Sequence, residues 1–142
     1  MIWLLRHGDA EPHGGDDASR RLTDKGKKQA EDAGKAIAAL GIEIEACLTS
    51  PKVRALQTAK IACEPLGMEP EVTEELRGGL IDVRELASGR DVMLVGHEPD
   101  LSNAVAELTG GKVKIKKGGL AGVEPGTLHV VFRPKDLGKI AR

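Results

Sequence analysis

Three short stretches of the chain carry residue types suited to handling a transferable anion: Arg6-His7-Gly8, Ser50-Pro51 followed by Arg54, and Gly96-His97-Glu98-Pro99. Guanidinium forks match the oxygens of a phosphoryl group, and an imidazole can attack it or donate a hydrogen bond to it. Together, two arginines and two histidines would make a phosphate pocket with a histidine nucleophile. Each part alone says little. A histidine at a strand end is commonly structural, and an arginine in a helix's first turn is commonly a solvated surface group. His13, in a polar loop, and His129, in an alternating terminal run, are assigned no role. No pair of histidines has close metal-ligand spacing, and two arginines beside a dication would repel it, so neither a metal nor another cofactor is implied.

These residues must be held by something, and hydrophobic patterning says what. Residues 2–5, and Val-Met-Leu-Val within 91–95, are short continuous apolar runs, as buried strands are, and a third strand is expected at 44–49. Thr23 is a plausible cap for a helix over 24–40, whose Ala30, Ala33, Ile37 and Leu40 follow helical spacing up to Gly41. Ser50-Pro51 reads as a cap with proline at the first helical position, opening a helix that carries Val53, Leu56, Ala59 and Ile61. Pro99 marks the same position for a helix to about Leu108, closed by Gly110-Gly111. A short extended piece at 71–73 and a short helix at 80–87 lie between, and three short strands are expected at 112–117, 119–123 and 127–133. Alternating strands and helices predict an α/β fold, a mostly parallel sheet with helices on both faces. Its crevice lies at the carboxyl ends of the strands, where all three polar stretches fall.

Composition narrows the partners. At 142 residues the chain is expected to form one domain, 1–142, large enough to need no disulfide or metal staple. A net charge of −1 gives no basic field to draw nucleic acid or an anionic membrane. With one Trp, one Phe and no Tyr there is no base-stacking platform. The apolar run within residues 1–6 is too short for a signal peptide, and no stretch reaches the length of a membrane span. Cys47 and Cys63, without metal or CxxC spacing, read as reduced core residues. A cytoplasmic monomer is the expectation.

The sequence resembles the histidine phosphatase superfamily, whose fold is the phosphoglycerate-mutase-like three-layer α/β/α sandwich. Four pieces carry the resemblance, in the family's order and near its spacing. They are Leu5-Arg6-His7-Gly8, the segment Leu22-Thr23-Asp24-Lys25-Gly26-Lys27-Lys28-Gln29-Ala30, the segment Ser50-Pro51-Lys52-Val53-Arg54-Ala55-Leu56-Gln57-Thr58-Ala59, and Val95-Gly96-His97-Glu98-Pro99. The resemblance implies that His7 is a nucleophile forming a phosphohistidine intermediate, that Arg6 and Arg54 clamp the phosphoryl oxygens, and that His97 hydrogen-bonds the same group. Gly8 would let the backbone approach the phosphate.

Larger members carry a helical lid and a general acid between the second arginine and the second histidine. Here only 42 residues, 55–96, separate Arg54 from His97, so a minimal form without the lid is expected. In many members the acid falls two residues after a leucine; after Leu76 that position is Gly78. An alkoxide leaving group needs an acid, whereas a protonated phosphohistidine releases neutral imidazole, whose conjugate acid has a pKa of about 6.5. The missing acid and Asp9-Ala10 after Arg-His-Gly resemble the small phosphohistidine-phosphatase branch, the SixA type, and imply a phosphorylated signalling or phosphocarrier protein as partner and substrate. Two alternatives stay open: a small-molecule phosphomonoesterase with a displaced acid, and a phosphate-binding module without turnover. Asp17 and Arg20 are candidates to close over substrate, Asp17 as that acid, or they form a solvated charge cluster. Glu75 is a weaker acid candidate. Glu98 is read as a helix-start carboxylate, residues 112–117 as an edge strand with lysines outward, and the basic end from Arg133 to Arg142 as a frayed tail.

Overall fold

Strands β1 (Ile2–Arg6) and β4 (Val92–Gly96) are apolar at every buried position because both faces of the sheet they belong to are covered. On one face Ile2, Leu4, Val92 and Leu94 pack with Val83, Leu86 and Ala87 of α3 (Val83–Ala87) and with Leu101, Ala104 and Val105 of α4 (Asp100–Thr109). On the other, Trp3, Leu5, Met93 and Val95 meet α1 (Asp24–Ala39), α2 (Val53–Cys63) and α5 (Pro134–Ile140). Side chains in a strand alternate between faces, so the two sets interleave residue by residue. This is a three-layer α/β/α sandwich, seen in a computed structural model that describes residues 1–12 and 15–142. His13 and Gly14, within the loop expected at 8–21, lie outside the described residues.

The six strands run in the order β3-β2-β4-β1-β5-β6, with β2 at Ala46–Thr49, β3 at Glu71–Val72, β5 at Leu120–Glu124 and β6 at Thr127–Phe132. β3, β2, β4 and β1 are mutually parallel, and β5 and β6 add antiparallel. Arg6 pairs with Gly96 and Thr49 with Val95, so the last residues of β1, β2 and β4 sit level at one edge of the sheet. After β1 the chain passes to α1 on one face, and after β4 to α4 on the other. The crevice between these neighbouring strands is therefore a topological switch point.

Glycine makes the closest helix contacts possible. A Cβ on Gly34 of α1 would strike the backbone carbonyl of Ala62 in α2, and those helices meet through Ala33, Ala55, Ala59 and Ala62. Thr23 caps α1, accepting from the Gly26 amide at 3.0 Å, as its position predicts.

Three expectations need correction. Residues 112–117 form no strand, although Ile115 is fully buried. The Ile115 backbone bonds to side chains instead, its amide to Glu98 Oε2 and its carbonyl to Arg6 Nη1. The basic end is not frayed: α5 packs on α1 with Leu137 buried, and its start is tied by Asp136, which accepts from the Arg133 amide and guanidinium. Finally, Ser50 is not the cap of α2; the helix begins at Val53 with Lys52 in the cap position, and the Ser50 hydroxyl is engaged by His97.

Candidate active site

The level strand ends deliver their residues to one place. His7 follows β1 and donates its amide to the Gly96 carbonyl, while the Ser50 amide, just past β2, bonds to Val95. The rings of His7 and His97 lie 5.2 Å apart between centroids. Arg54 reaches the same place from the first turn of α2, and Arg6 from the end of β1. His7, His97 and Arg54 are each only 6% exposed.

Hydrogen bonds set the state of the nucleophile candidate. His7 Nδ1 lies 2.7 Å from the Gly8 carbonyl, which can only accept. Nδ1 therefore carries the proton, and Nε2 keeps its lone pair. Burial, with the charges of Arg54, Arg6 and Lys117 acting in the same sense, lowers the His7 pKa to about 4, against the opposing pull of the Gly8 bond. His97 is pushed to about 3, by burial first and then by His7, Arg54 and Lys52. Both rings are neutral at physiological pH.

The arginines are cations with donors to spare. Arg6 Nη1 donates to the Ile115 carbonyl at 3.0 Å, and burial lowers the guanidinium's pKa while Glu98 opposes it. Arg54 donates from Nη1 to the Asp17 carbonyl and from Nη2 to the Asp17 carboxylate, at 2.9 and 3.2 Å. Arg6 Nε, Arg54 Nε and His97 Nδ1 are buried with no partner among the described residues. Buried polar atoms cost free energy unless they are bonded, and these three belong to the candidate anion-binding residues. Phosphoryl oxygens are acceptors of the kind such donors need.

The remaining expected residues have definite places. Gly8 spends its amide on Thr58 Oγ1, and a Cβ there would meet the Gly26 carbonyl at 2.5 Å; its bareness serves the approach of α1. Asp17 faces Arg54, with Arg20 at 3.2 Å and Lys52 at 3.7 Å from its carboxylate. The Arg20 bond, with Arg54 and Lys52, holds the Asp17 pKa at about 2, so it is an anion at neutral pH. Glu98 accepts from the Ser102 amide in the first turn of α4 at 2.7 Å, and also from Ile115. His129 is exposed and paired with Glu124, away from this cluster.

Sequence reasoning missed the scaffold of the loop after His7. Gln29 Oε1 accepts from the Asp9 amide, Gln57 Oε1 from the Leu22 amide, and Thr23 donates to the Asp9 carboxylate. All lie inside the motifs quoted above, so the signal was present without its meaning.

A buried pair of neutral histidines beside two arginines, at the switch point of an α/β/α sandwich, is an arrangement suited to phosphoryl chemistry. The family model of the histidine phosphatase superfamily (branch 1) matches residues 2–80, and the chain belongs to that family: it is a phosphatase, a hydrolase. Its fold and relatives place it in the SixA type. The structure of the protein histidine phosphatase SixA complexed with tungstate superposes with a TM-score of 0.82 at 26% identity, covering 96% of this chain and 98% of that one. An uncharacterized protein of Picosynechococcus is 33% identical, with 91% of this chain and 87% of that protein covered. The mitochondrial serine/threonine-protein phosphatase Pgam5 of Drosophila yakuba is 40% identical over 70 residues, 49% of this chain and 24% of its own length.

Proposed function

We propose that this phosphatase works without a metal, through a phosphohistidine on His7, and that its substrate is phosphohistidine on a signalling or phosphocarrier protein of the cytoplasm. The observation that carries the reading is the His7 Nδ1 bond to Gly8, which leaves Nε2 free beside two guanidiniums. In the first step Nε2 forms a bond to phosphorus as the substrate's P–N bond breaks. The leaving imidazole, protonated beforehand on its other nitrogen, departs neutral. Water then attacks the phosphoryl group, the P–N bond to His7 breaks, and the proton lost by water leaves with inorganic phosphate. Arg6, Arg54 and His97 hold the three equatorial oxygens, which is most of what phosphoryl transfer requires.

The substrate class rests on two carboxylates near the four residues: Asp17, paired with Arg54, and Glu98, next to His97 in the chain. Asp17 is held as an anion by Arg20, Arg54 and Lys52, and both oxygens of Glu98 accept backbone amides. Neither is placed to give up a proton to an alkoxide, and an imidazole leaving group asks for none. The two buried free thiols, Cys47 and Cys63, fit a reducing compartment.

The test is release of label from a histidine-phosphorylated protein in EDTA, with an aryl phosphate and a sugar phosphate in parallel. Fast release from the phosphohistidine protein alone supports the reading. Fast release from the monoesters instead overturns the substrate class, and tight phosphate binding with no turnover of any substrate overturns the enzyme reading. His7→Ala abolishes turnover and the phosphoenzyme; wild-type rates in that variant refute the nucleophile.

A further inference from the structure

Ser50 is fully buried, and its hydroxyl has two partners among the described residues. Oγ accepts the Lys52 amide at 3.2 Å, and lies 2.8 Å from His97 Nε2. A hydroxyl holds one proton to donate. The Lys52 amide cannot accept it, so the acceptor is His97 Nε2, and the His97 proton then sits on Nδ1.

The opposite tautomer fails by counting. With the proton on Nε2, the imidazole would donate to Oγ. The Ser50 proton would be left buried without an acceptor, and the Nδ1 lone pair without a donor. The first arrangement leaves one buried group unpaired, an Nδ1–H donor. Each unmet buried group costs its full desolvation, so the arrangement with one such group is favoured over that with two.

We infer that Ser50 is a positioning residue that fixes His97 as the Nδ1–H tautomer, so that a neutral ring presents a donor to the phosphoryl group. The inference rests on the phosphatase reading for its catalytic consequence and on geometry alone for the tautomer. It explains how His97 can bind an anion without being charged. A ring with a lone pair at Nδ1 would repel phosphoryl oxygens; one with a proton there attracts them. Ser50 thus does for His97 what the Gly8 carbonyl does for His7, with opposite polarity: an acceptor frees the His7 Nε2 lone pair, and a donor occupies that of His97.

The experiment is long-range 1H–15N correlation of the histidine rings in the whole 15N-labelled chain at neutral pH, with His97→Gln locating the His97 signals. In the wild type, Nδ1 is protonated and Nε2 is not. In Ser50→Ala the Nδ1–H population falls, and kcat drops about tenfold to a hundredfold, as loss of an outer orienting partner does, with a smaller change in KM. A proton on Nε2 in the wild type, or the same tautomer in both proteins, overturns the inference. If Ser50→Ala does not fold, the wild-type spectrum still decides. If no substrate is turned over while the His97 tautomer is as stated and responds to Ser50→Ala, the phosphatase reading falls and the assignment of the proton stands.

Discussion

At pH 5 an ordinary imidazole is almost wholly protonated, and His7 is not. With a pKa of about 4 in place of 6.5, the buried ring is about nine-tenths neutral at that pH, against about 3% for an unperturbed one. Phosphoenzyme formation that depends on a neutral His7 therefore keeps roughly thirty times the rate that an ordinary histidine would allow. Stability follows the same displacement. The folded value lies below the unfolded one, so the full contribution is present above about pH 6.5 and is lost as pH falls through about 4; at pH 5 the loss from His7 alone is about 2 kcal/mol. The assay has two arms, a ring NMR titration of His7 in the free protein and single-turnover phosphoryl transfer at pH 7 and pH 5. Because burial is the largest cause and Arg54 a lesser one, Arg54→Ala moves the midpoint only part of the way back. A wild-type midpoint between 6 and 7, or a rate that collapses by pH 5 in step with an ordinary imidazole, refutes the argument from burial.

On the proposed reading, Arg54→Ala takes a guanidinium away from the transferring group and lowers kcat/KM about a hundredfold to a thousandfold; an unchanged value, read with a phosphohistidine protein, removes Arg54 from the clamp. Asp17→Asn takes away an anion that competes with phosphate for Arg54. The carboxylate is half exposed, and such pairs are worth at most about 1 kcal/mol, so inorganic phosphate inhibits about two- to fivefold more tightly; equal or weaker inhibition shows that the two do not compete. Glu98→Ala leaves the Ser102 and Ile115 amides without their acceptor and lowers unfolding free energy by about 1–3 kcal/mol in urea. A loss under a few tenths would mean that water replaces the carboxylate.

The strands and most helices were legible because their signals are local. Ile2 to Leu5 and Val92 to Val95 lack alternation for the reason buried parallel strands do, and Thr23 announces α1 from the position it caps. Residues 112–117 misled because Lys-Val-Lys-Ile-Lys alternates as a strand does. Ile115 does turn inward, but its backbone finds Glu98 and Arg6, and nothing within six residues could say so. α5 hid because it is short and contains Gly138, which sits against Asp32 of α1. The four candidate residues could be read from motif and order. The hydrogen-bond partner of His97 could not: Ser50 before a proline looks like a cap, and only the pairing of β2 with β4 brings it to a ring 47 positions away.

The strand that leads into His7 lies between β4 and β5, so its neighbours are supplied by residues 92–96 and 120–123. Contacts so distant in sequence are slow to form, and a ribosome adding about 5–20 residues per second emits His7 many seconds before its partners. Until residues 96 and 118–119 emerge, Arg6 and His7 lack the Gly96 and Gly119 carbonyls and the Gly118 amide that shape the turn. A nascent chain that stops short of residue 96 thus carries Arg6-His7-Gly8 without the Gly96 carbonyl, the His97 ring or the residue 118–119 turn. On the proposed reading, the groups around His7 come together only when β4 and β5 close on β1, late in synthesis.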